Sequence, residues 1–300
     1  MTFIESFFAL VPVTLVQSML YAFVALAIWL PFRVLNFPDL TSEGSFPLGA
    51  AVCAACMVAG WHPLPALAAA ALAGFAAGCT TGWIHERIKV NTLLCGIIVL
   101  TMLYSVNLRV MGQPNIPLFN FPSVFAIALG DHKGDSLWQA ALLALAVCAT
   151  GLALMWFLRT HIGAAMRAVG SSIPMARAQG VNVAAYTIVG LGLANALAAF
   201  AGGLLAQNQG FADVNLGFGV LINGLAALIL GETLVGTRTL ARQVIAPVVG
   251  AIVYYQVISA ALAAGMRPSD LKFITGLFVL ATLAIPAIRR GSDGALRIRE

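Results

Sequence analysis

Charge is what this 300-residue sequence has least of: Asp, Glu, Lys and Arg together make up 9% of it, against 61% hydrophobic residues. At a mean hydropathy of +0.95 there is too little polar side chain to cover a water-facing globule, which excludes a soluble fold. Acid is scarcer than base, 11 residues against 16. No Lys/Arg run interleaved with aromatics accompanies that excess, so a nucleic-acid surface is excluded as well. Histidine is down to His62, His85, His132 and His161, scattered without H-E-x-x-H or paired ligand spacing, which argues against a metal centre. The five cysteines, Cys53, Cys56, Cys79, Cys95 and Cys148, all lie in apolar runs where a thiol packs like a small hydrophobe. Cys53 and Cys56 form a C-x-x-C with neither a second pair nor a following His. Neither G-x-S-x-G nor G-x-x-x-x-G-K-[ST] occurs, so this chain offers no hydrolase nucleophile and no phosphate loop. The start, MTFIESFFAL, lacks a basic region and a small-residue cleavage site, and no removable signal peptide is expected.

What fills the sequence instead is apolar runs of membrane-crossing length. About 20 apolar residues cross a bilayer as a helix. Runs of that kind fall at 11–30, 63–84, 92–111, 137–158, 187–206, 218–234, 244–264 and 271–288, with a shorter one at 46–60. The expected fold is all-α: one polytopic helical bundle over 1–300 with about nine membrane segments. Ala66, Ala70, Gly74, Gly78 and Gly82 recur every fourth residue, a bare face that lets another helix approach closely. Nine crossings put the termini on opposite sides. With the N-terminus outside, the inner loops hold Arg33, Arg87, Lys89, Arg159, Arg167, Arg177, Arg238, Arg242, Arg289, Arg290, Arg297 and Arg299. The outer ones keep only Arg109, Lys133, Arg267 and Lys272. The positive-inside rule selects that orientation, with a cytoplasmic C-terminus.

Two places break the pattern. NFPDLTSEGSF puts Asp39, Thr41, Ser42 and Glu43 ahead of the short run, which is how a discontinuous membrane helix reads. NQGFADVNLG does the same with Asp213 and Asn215 before 218–234. Phe37-Pro-Asp39-Leu-Thr41 and Phe211-Ala-Asp213-Val-Asn215 share a pattern and fall on opposite sides of the membrane, as an inverted repeat requires; five positions leave chance as an open alternative. Ionisable groups at membrane depth cost roughly 2.5–3.5 kcal/mol each, so they persist where they serve a use. Asp39, Glu43 and Asp213 are therefore candidates for a substrate path, with wet loops as the other reading. Thr101, Tyr104 and Ser105 form a polar helix side with Asn107 at its margin. Asn195 and Asn223 suit interhelical hydrogen bonds or that same path, while Glu232 lies within reach of Arg238. The segment 112–136, rich in Pro and Gly, is placed outside, lying on the interface through Phe119, Phe121 and Phe125.

The longest polar interruption is RTHIGAAMRAVGSSIPMARAQGVN, 159–182, cationic and free of acid. Gly163 to Val169 reads as a short helix, Ser171 or Ser172 as the cap of a second beginning near Pro174, and Gly180 as its left-handed stop. Met166, Ile173 and Met175 supply apolar contact atoms, with Arg167 and Arg177 at the edges. That composition fits insertion into a groove of a soluble partner; a basic loop on anionic headgroups is the alternative.

This loop resembles the coupling loop of permease subunits in the branched-chain amino acid and ribose class of bacterial ABC importers, in which R-T-x-x-G-x-x-x-R-A-x-G precedes x-x-x-A-x-x-x-G. LNFPDLTSEGSFPLGA and ALILGETLVGTRTLARQVIAPVVGA are similar to other segments of that class, and TLLCGIIVLTMLYSVNLRVMGQPNIPL to its aromatic amino acid permeases. The resemblance implies a transport subunit without catalysis of its own. It implies partners too: a cytoplasmic ABC ATPase dimer that binds ATP and Mg, a second permease copy, an extracytoplasmic solute-binding protein and membrane lipid. The coupling residues it points to are Arg159, Gly163, Met166, Arg167, Gly170, Ser172, Pro174, Met175, Arg177 and Gly180, and the segments around Asp39 and Asp213 would border the path. Pro38, Asp39 and Glu43 stand where branched-chain relatives carry Ala, His and Gly-type residues, so a branched-chain cargo does not follow. The runner-up function is a secondary carrier driven by an ion gradient through Asp39, Glu43 and Asp213.

Overall fold

The computed structural model describes residues 3–132 and 134–266, together with Gly276, Leu277 and Leu280. The first helix, α1 (Phe3–Trp29), runs on into a π-helical turn at Leu30–Val34. Pro31 has no N–H to give, and the widened turn accommodates the missing bond. Asn36, at φ 52°, then turns the chain into an extended stretch that leads to α2 (Ser42–Val58). After it come α3 (Pro63–Ile88) and α4 (Thr92–Met111), a short strand β1 (Asn115–Pro117), α5 (Val124–Leu129) and α6 (Ser136–Arg159). The polar interruption folds as α7 (His161–Ser171) and α8 (Ile173–Ala178). The chain continues through α9 (Val183–Gln209), β2 (Phe211–Asp213), a 3-10 turn at Val214–Gly217, α10 (Val220–Val235) and α11 (Leu240–Ala263).

Among the described residues, seven stretches are long and apolar enough to cross a membrane: Phe7–Val34, Pro63–Ile88, Thr92–Met111, Ser136–Arg159, Val183–Gln209, Val214–Val235 and Leu240–Ala263. The shorter α2 makes an eighth apolar helix. The ninth expected segment, 271–288, lies outside the described residues, as do Lys133, Arg267, Lys272 and the arginines of the tail. The described part is thus the polytopic helical bundle expected, and α2 begins four residues before the run at 46–60 because Ser42 to Ser45 already wind into it.

The small-residue ladder sets the core. A Cβ on Gly74 would stand 2.3 Å from the Asn195 carbonyl oxygen, and one on Gly78 would stand 2.1 Å from that of Leu191. α3 therefore touches α9 backbone to backbone, as the spacing predicts. α2 is pressed equally closely on the other side of α9, where a Cβ on Gly49 would fall 1.8 Å from the Ala199 oxygen. α11 lies along α1 through side chains instead, with Tyr21 and Tyr255 rings 4.9 Å apart and Gln256 donating to Thr14.

α7 packs under the end of α1, where a Cβ on Gly170 would meet the Val34 oxygen at 1.9 Å. Arg33 is clamped at that same end by the Glu232 carboxylate of α10, its Nε donating over 2.8 Å. Glu232 was expected within reach of Arg238. It is taken by Arg33 instead, because α1 and α10 finish side by side. The opposite end holds the antiparallel β1–β2 pair, in which Ile116 faces Ala212, and the segment 112–136. Phe119 there is 74% exposed, but Phe125 is buried at 4%, so only part of that segment can lie on an interface. Gln207 accepts from the Val124 amide and draws α5 down onto α9. Basic residues segregate with these ends. Arg33, Arg87, Lys89, Arg159, Arg167, Arg177, Arg238 and Arg242 share the α7 end, whereas the β-pair end combines Arg109 with Asp131, Asp135 and Asp213. The five cysteines are free thiols.

Candidate functional site

The two sequence breaks fold alike. Asp39 Oδ1 accepts from the amide of Thr41 at 2.8 Å, and Asp213 Oδ1 accepts from that of Asn215 at 2.7 Å. Each Asp thus makes a turn two residues long, and each turn launches a short helix, α2 or α10. These helices run oppositely, α2 toward the β-pair end and α10 toward the α7 end. Their beginnings meet where the Gly219 N–H donates to Glu43 Oε1 over 2.7 Å. Gly217 is indispensable to that meeting, since a Cβ there would lie 2.1 Å from the Glu43 oxygen of the main chain. The five-residue echo accordingly marks two like Asx turns that open oppositely directed helices.

A cavity of about 290 Å³ opens at this junction. α2 contributes Glu43 and Pro47, α4 contributes Leu100, Thr101, Tyr104 and Asn107, and the approach to α10 contributes Gly217 and Phe218. Counted at 1.5 Å per residue, Glu43 lies roughly 20 Å from the Glu232 end of α10, well inside the bundle. Asn107 is 1% exposed; its Nδ2 donates to the Gly44 oxygen at 3.4 Å, and its Oδ1 has no partner. The Thr101 hydroxyl donates back to the Ile98 carbonyl, leaving its lone pairs free to accept. The cavity is open on the flank of the chain, where Tyr104 is 44% and Phe218 69% exposed.

Of the expected path residues, Glu43, Tyr104 and Asn107 line this cavity. Asp39 does not. It is wholly buried, with Oδ2 accepting from Asn195 Nδ2 at 2.7 Å, and serves to pin the extended stretch to α9. Thr41 shares a 2.8 Å hydrogen bond with Thr81, and Ser42 is buried with its hydroxyl unpartnered. Asp213 is held by Asn115 of the β-pair, Asn215 is exposed beyond it, and Asn223 accepts from Tyr254 between α10 and α11. Asp39, Glu43 and Asp213 are thus bonded to Asn195, to the Gly219 amide and to Asn115 respectively, and do not meet in one site. Of the expected polar side of α4, Thr101 lines the cavity and Ser105 does not. Phe218 and Leu100 were not singled out in the sequence; Leu100 is visible only as part of the 100–104–107 helix face.

The coupling region also divides. Thr160 caps α7 by accepting from Gly163, and Ser172 caps α8 by accepting from Met175. Gly180 ends α8 at φ 76°, as the glycine pattern predicts. Met166, expected to offer contact atoms, is fully buried against the bundle. Its Sδ lies 3.2 Å from where a Cβ on Gly190 would be, in the α9 wall. Gly163 and Gly170 are likewise spent on close packing. What remains on the surface is Ile173 at 48% and Met175 at 65%, with exposed Pro174, Arg159, Arg167 and Arg177 around them.

Residues 12–283 match the family described as branched-chain amino acid transport system, permease component. The chain belongs to that permease family. A tyrosine transport system permease protein of Clostridioides difficile (strain R20291) is 38% identical over 269 residues, covering 89% of this chain and 88% of the relative. An uncharacterized protein of Rickettsia prowazekii (strain Madrid E) is 31% identical over 273 residues, covering 89% and 94%. The galactofuranose transporter permease protein YtfT of Escherichia coli (strain K12) is 27% identical over 257 residues, covering 84% and 72%. No solved structure matches the chain. A permease of this kind is a transport subunit, and the cavity between the opposed half-helices is its candidate solute site.

Proposed function

We propose that this permease is the membrane subunit of an ATP-driven importer for an amino acid or related small solute. The observation that carries the proposal is the chain of contacts from α7 to the cavity. α7 bears on Val34; five residues later comes Asp39, locked to α9; four residues further Glu43 closes the cavity wall. A push on α7 is thereby delivered to the start of α2. Separate ATPase subunits, binding ATP and Mg, would supply that push through the exposed α8 surface of Ile173, Pro174 and Met175. Import requires alternating access to the cavity, which such a displacement biases. The basic α7 end is the cytoplasmic one on this reading, because positive loops are retained inside, and the N-terminus is outside. A solute-binding protein would deliver cargo to the β-pair end, and a second permease copy would cover the open flank at Tyr104 and Phe218. The tyrosine named for the Clostridioides relative makes an aromatic amino acid the leading cargo.

The test is co-purification. Ile173→Asp with Met175→Asp should abolish capture of the ATPase encoded with this permease while leaving the permease itself folded. Uptake that persists in the absence of any ATPase refutes the proposal.

A further inference from the structure

Resting on the importer reading, the cavity's polar atoms narrow the cargo. Among the described residues, the free polar atoms facing it are acceptors except the Tyr104 hydroxyl, which can also donate. Glu43 has one carboxylate oxygen on the Gly219 N–H, and its other oxygen has no partner among the described residues. Asn107 is fixed with its NH₂ on the Gly44 carbonyl, so its amide oxygen is the atom left over, buried and unpaired. Thr101 has spent its proton on Ile98. Among the described residues no Lys, Arg or His lines the cavity. A buried acceptor without a donor carries a desolvation cost, and a carboxylate at membrane depth carries more. Both costs are relieved by one arriving group, a compact cation with several N–H donors.

We infer that the cavity is a built receptor for a primary ammonium group, received between Glu43 and the amide oxygen of Asn107, with an apolar or aromatic body lying against Leu100, Tyr104 and Phe218. The α10 helix start does not compete for this role as an anion site, since Glu43 already occupies it. A cargo whose only charge is a carboxylate would meet Glu43 with like charge and find no cation, so it is rejected. An amino acid enters ammonium first, its own carboxylate toward the open side.

The experiment uses the full-length permease in lipid nanodiscs and three probes of one shape: tyramine, L-tyrosine and 3-(4-hydroxyphenyl)propionate. Calorimetric titration should show tyramine and L-tyrosine binding at least about tenfold more tightly than the des-amino acid. Glu43→Gln keeps an oxygen for the Gly219 N–H, so the fold is retained, and it should reduce that preference to about threefold or less. Asn107→Leu should weaken tyramine while leaving the des-amino acid unchanged. Equal binding of the three probes, absence of tyramine binding, or an undiminished preference in Glu43→Gln overturns the inference, and the probe comparison on the unmodified chain needs no variant. Uptake by the reconstituted complex with its ATPase and binding protein reads the importer proposal separately. ATP-driven tyrosine uptake without amine preference sinks the receptor and spares the importer; amine preference without ATP-driven uptake does the reverse.

Discussion

Replacing Asn195 with Leu isolates the contact that holds the discontinuous segment in place. Asn195 and Asp39 are both 0% exposed, 156 residues apart in sequence, and joined by a 2.7 Å hydrogen bond. Leu keeps the branching and the number of side-chain heavy atoms of Asn, so the change removes the donor without opening a void. Asp39 Oδ2 is then buried and unpaired, which costs about 1.5–3 kcal/mol for a bond to a carboxyl group. Thermal unfolding in detergent, followed by labelling of the buried thiols Cys53 and Cys95 in a Cys148→Ala background, should shift down by about 3–6 °C. Asp39→Leu alone should be at least as damaging, because it also loses the bond to the Thr41 amide. The double variant decides the matter. With both partners apolar no carboxyl oxygen is orphaned and only the Thr41 amide lacks its acceptor, so its loss should fall short of the sum of the singles by about 1–3 kcal/mol. Additivity within about 0.5 kcal/mol would refute the claim that these two side chains act as a unit.

Gly78→Ala should destabilise by about 1–3 kcal/mol, because its methyl group enters the Leu191 carbonyl oxygen, whereas Gly151→Ala, whose nearest neighbour is 3.5 Å away, should be neutral or slightly stabilising by helix propensity; parallel melting curves compare them. Met166→Ala should cost about 2–5 kcal/mol as a core cavity and yet leave ATPase capture intact at a temperature where the variant is folded, separating it from Ile173 and Met175. Orientation is read with a membrane-impermeant maleimide on intact cells: a cysteine at exposed Gln113 should label and one at exposed Ser171 should not, and the opposite pattern would invert the topology.

The bundle was legible in the sequence because membrane helices satisfy their backbone internally and so must announce themselves as apolar runs. Caps and stops were legible for a similar reason: Ser172 and Gly180 act on their own neighbours in sequence. The Phe-x-Asp echo was visible too, since an Asx turn is a local event. What the sequence did not reveal is which acid faces a cavity. Asp39 and Glu43 stand four residues apart in one segment and look equivalent as letters. Their fates diverge because Asn195, on a distant helix, meets one, and Gly219, at a helix start, meets the other. Met166 misled in the same way. An apolar residue in a polar loop looks like a docking atom until the α9 wall beneath it is known.

The bare seam between α3 and α9 restricts how the molecule can move. Helices in contact through side chains can slide, since flexible chains exchange neighbours at little cost. Where Gly74 and Gly78 abut carbonyl oxygens, a slip of one 1.5 Å residue step would drive backbone into backbone. α2 is keyed to α9 by Gly49 in the same manner, so α2, α3 and α9 form one unyielding slab. α4 bears on that slab and on the stretch before it: a Cβ on Gly44 would stand 3.1 Å from the side-chain tips of Leu100 and Leu103 and 3.2 Å from the Leu100 Cα, and one on Gly96 would stand 2.8 Å from the Leu40 amide nitrogen. A displacement carried into α2 would therefore move α2, α3 and α9 as one body, with Glu43 and Pro47 presenting a single rigid edge to the cavity.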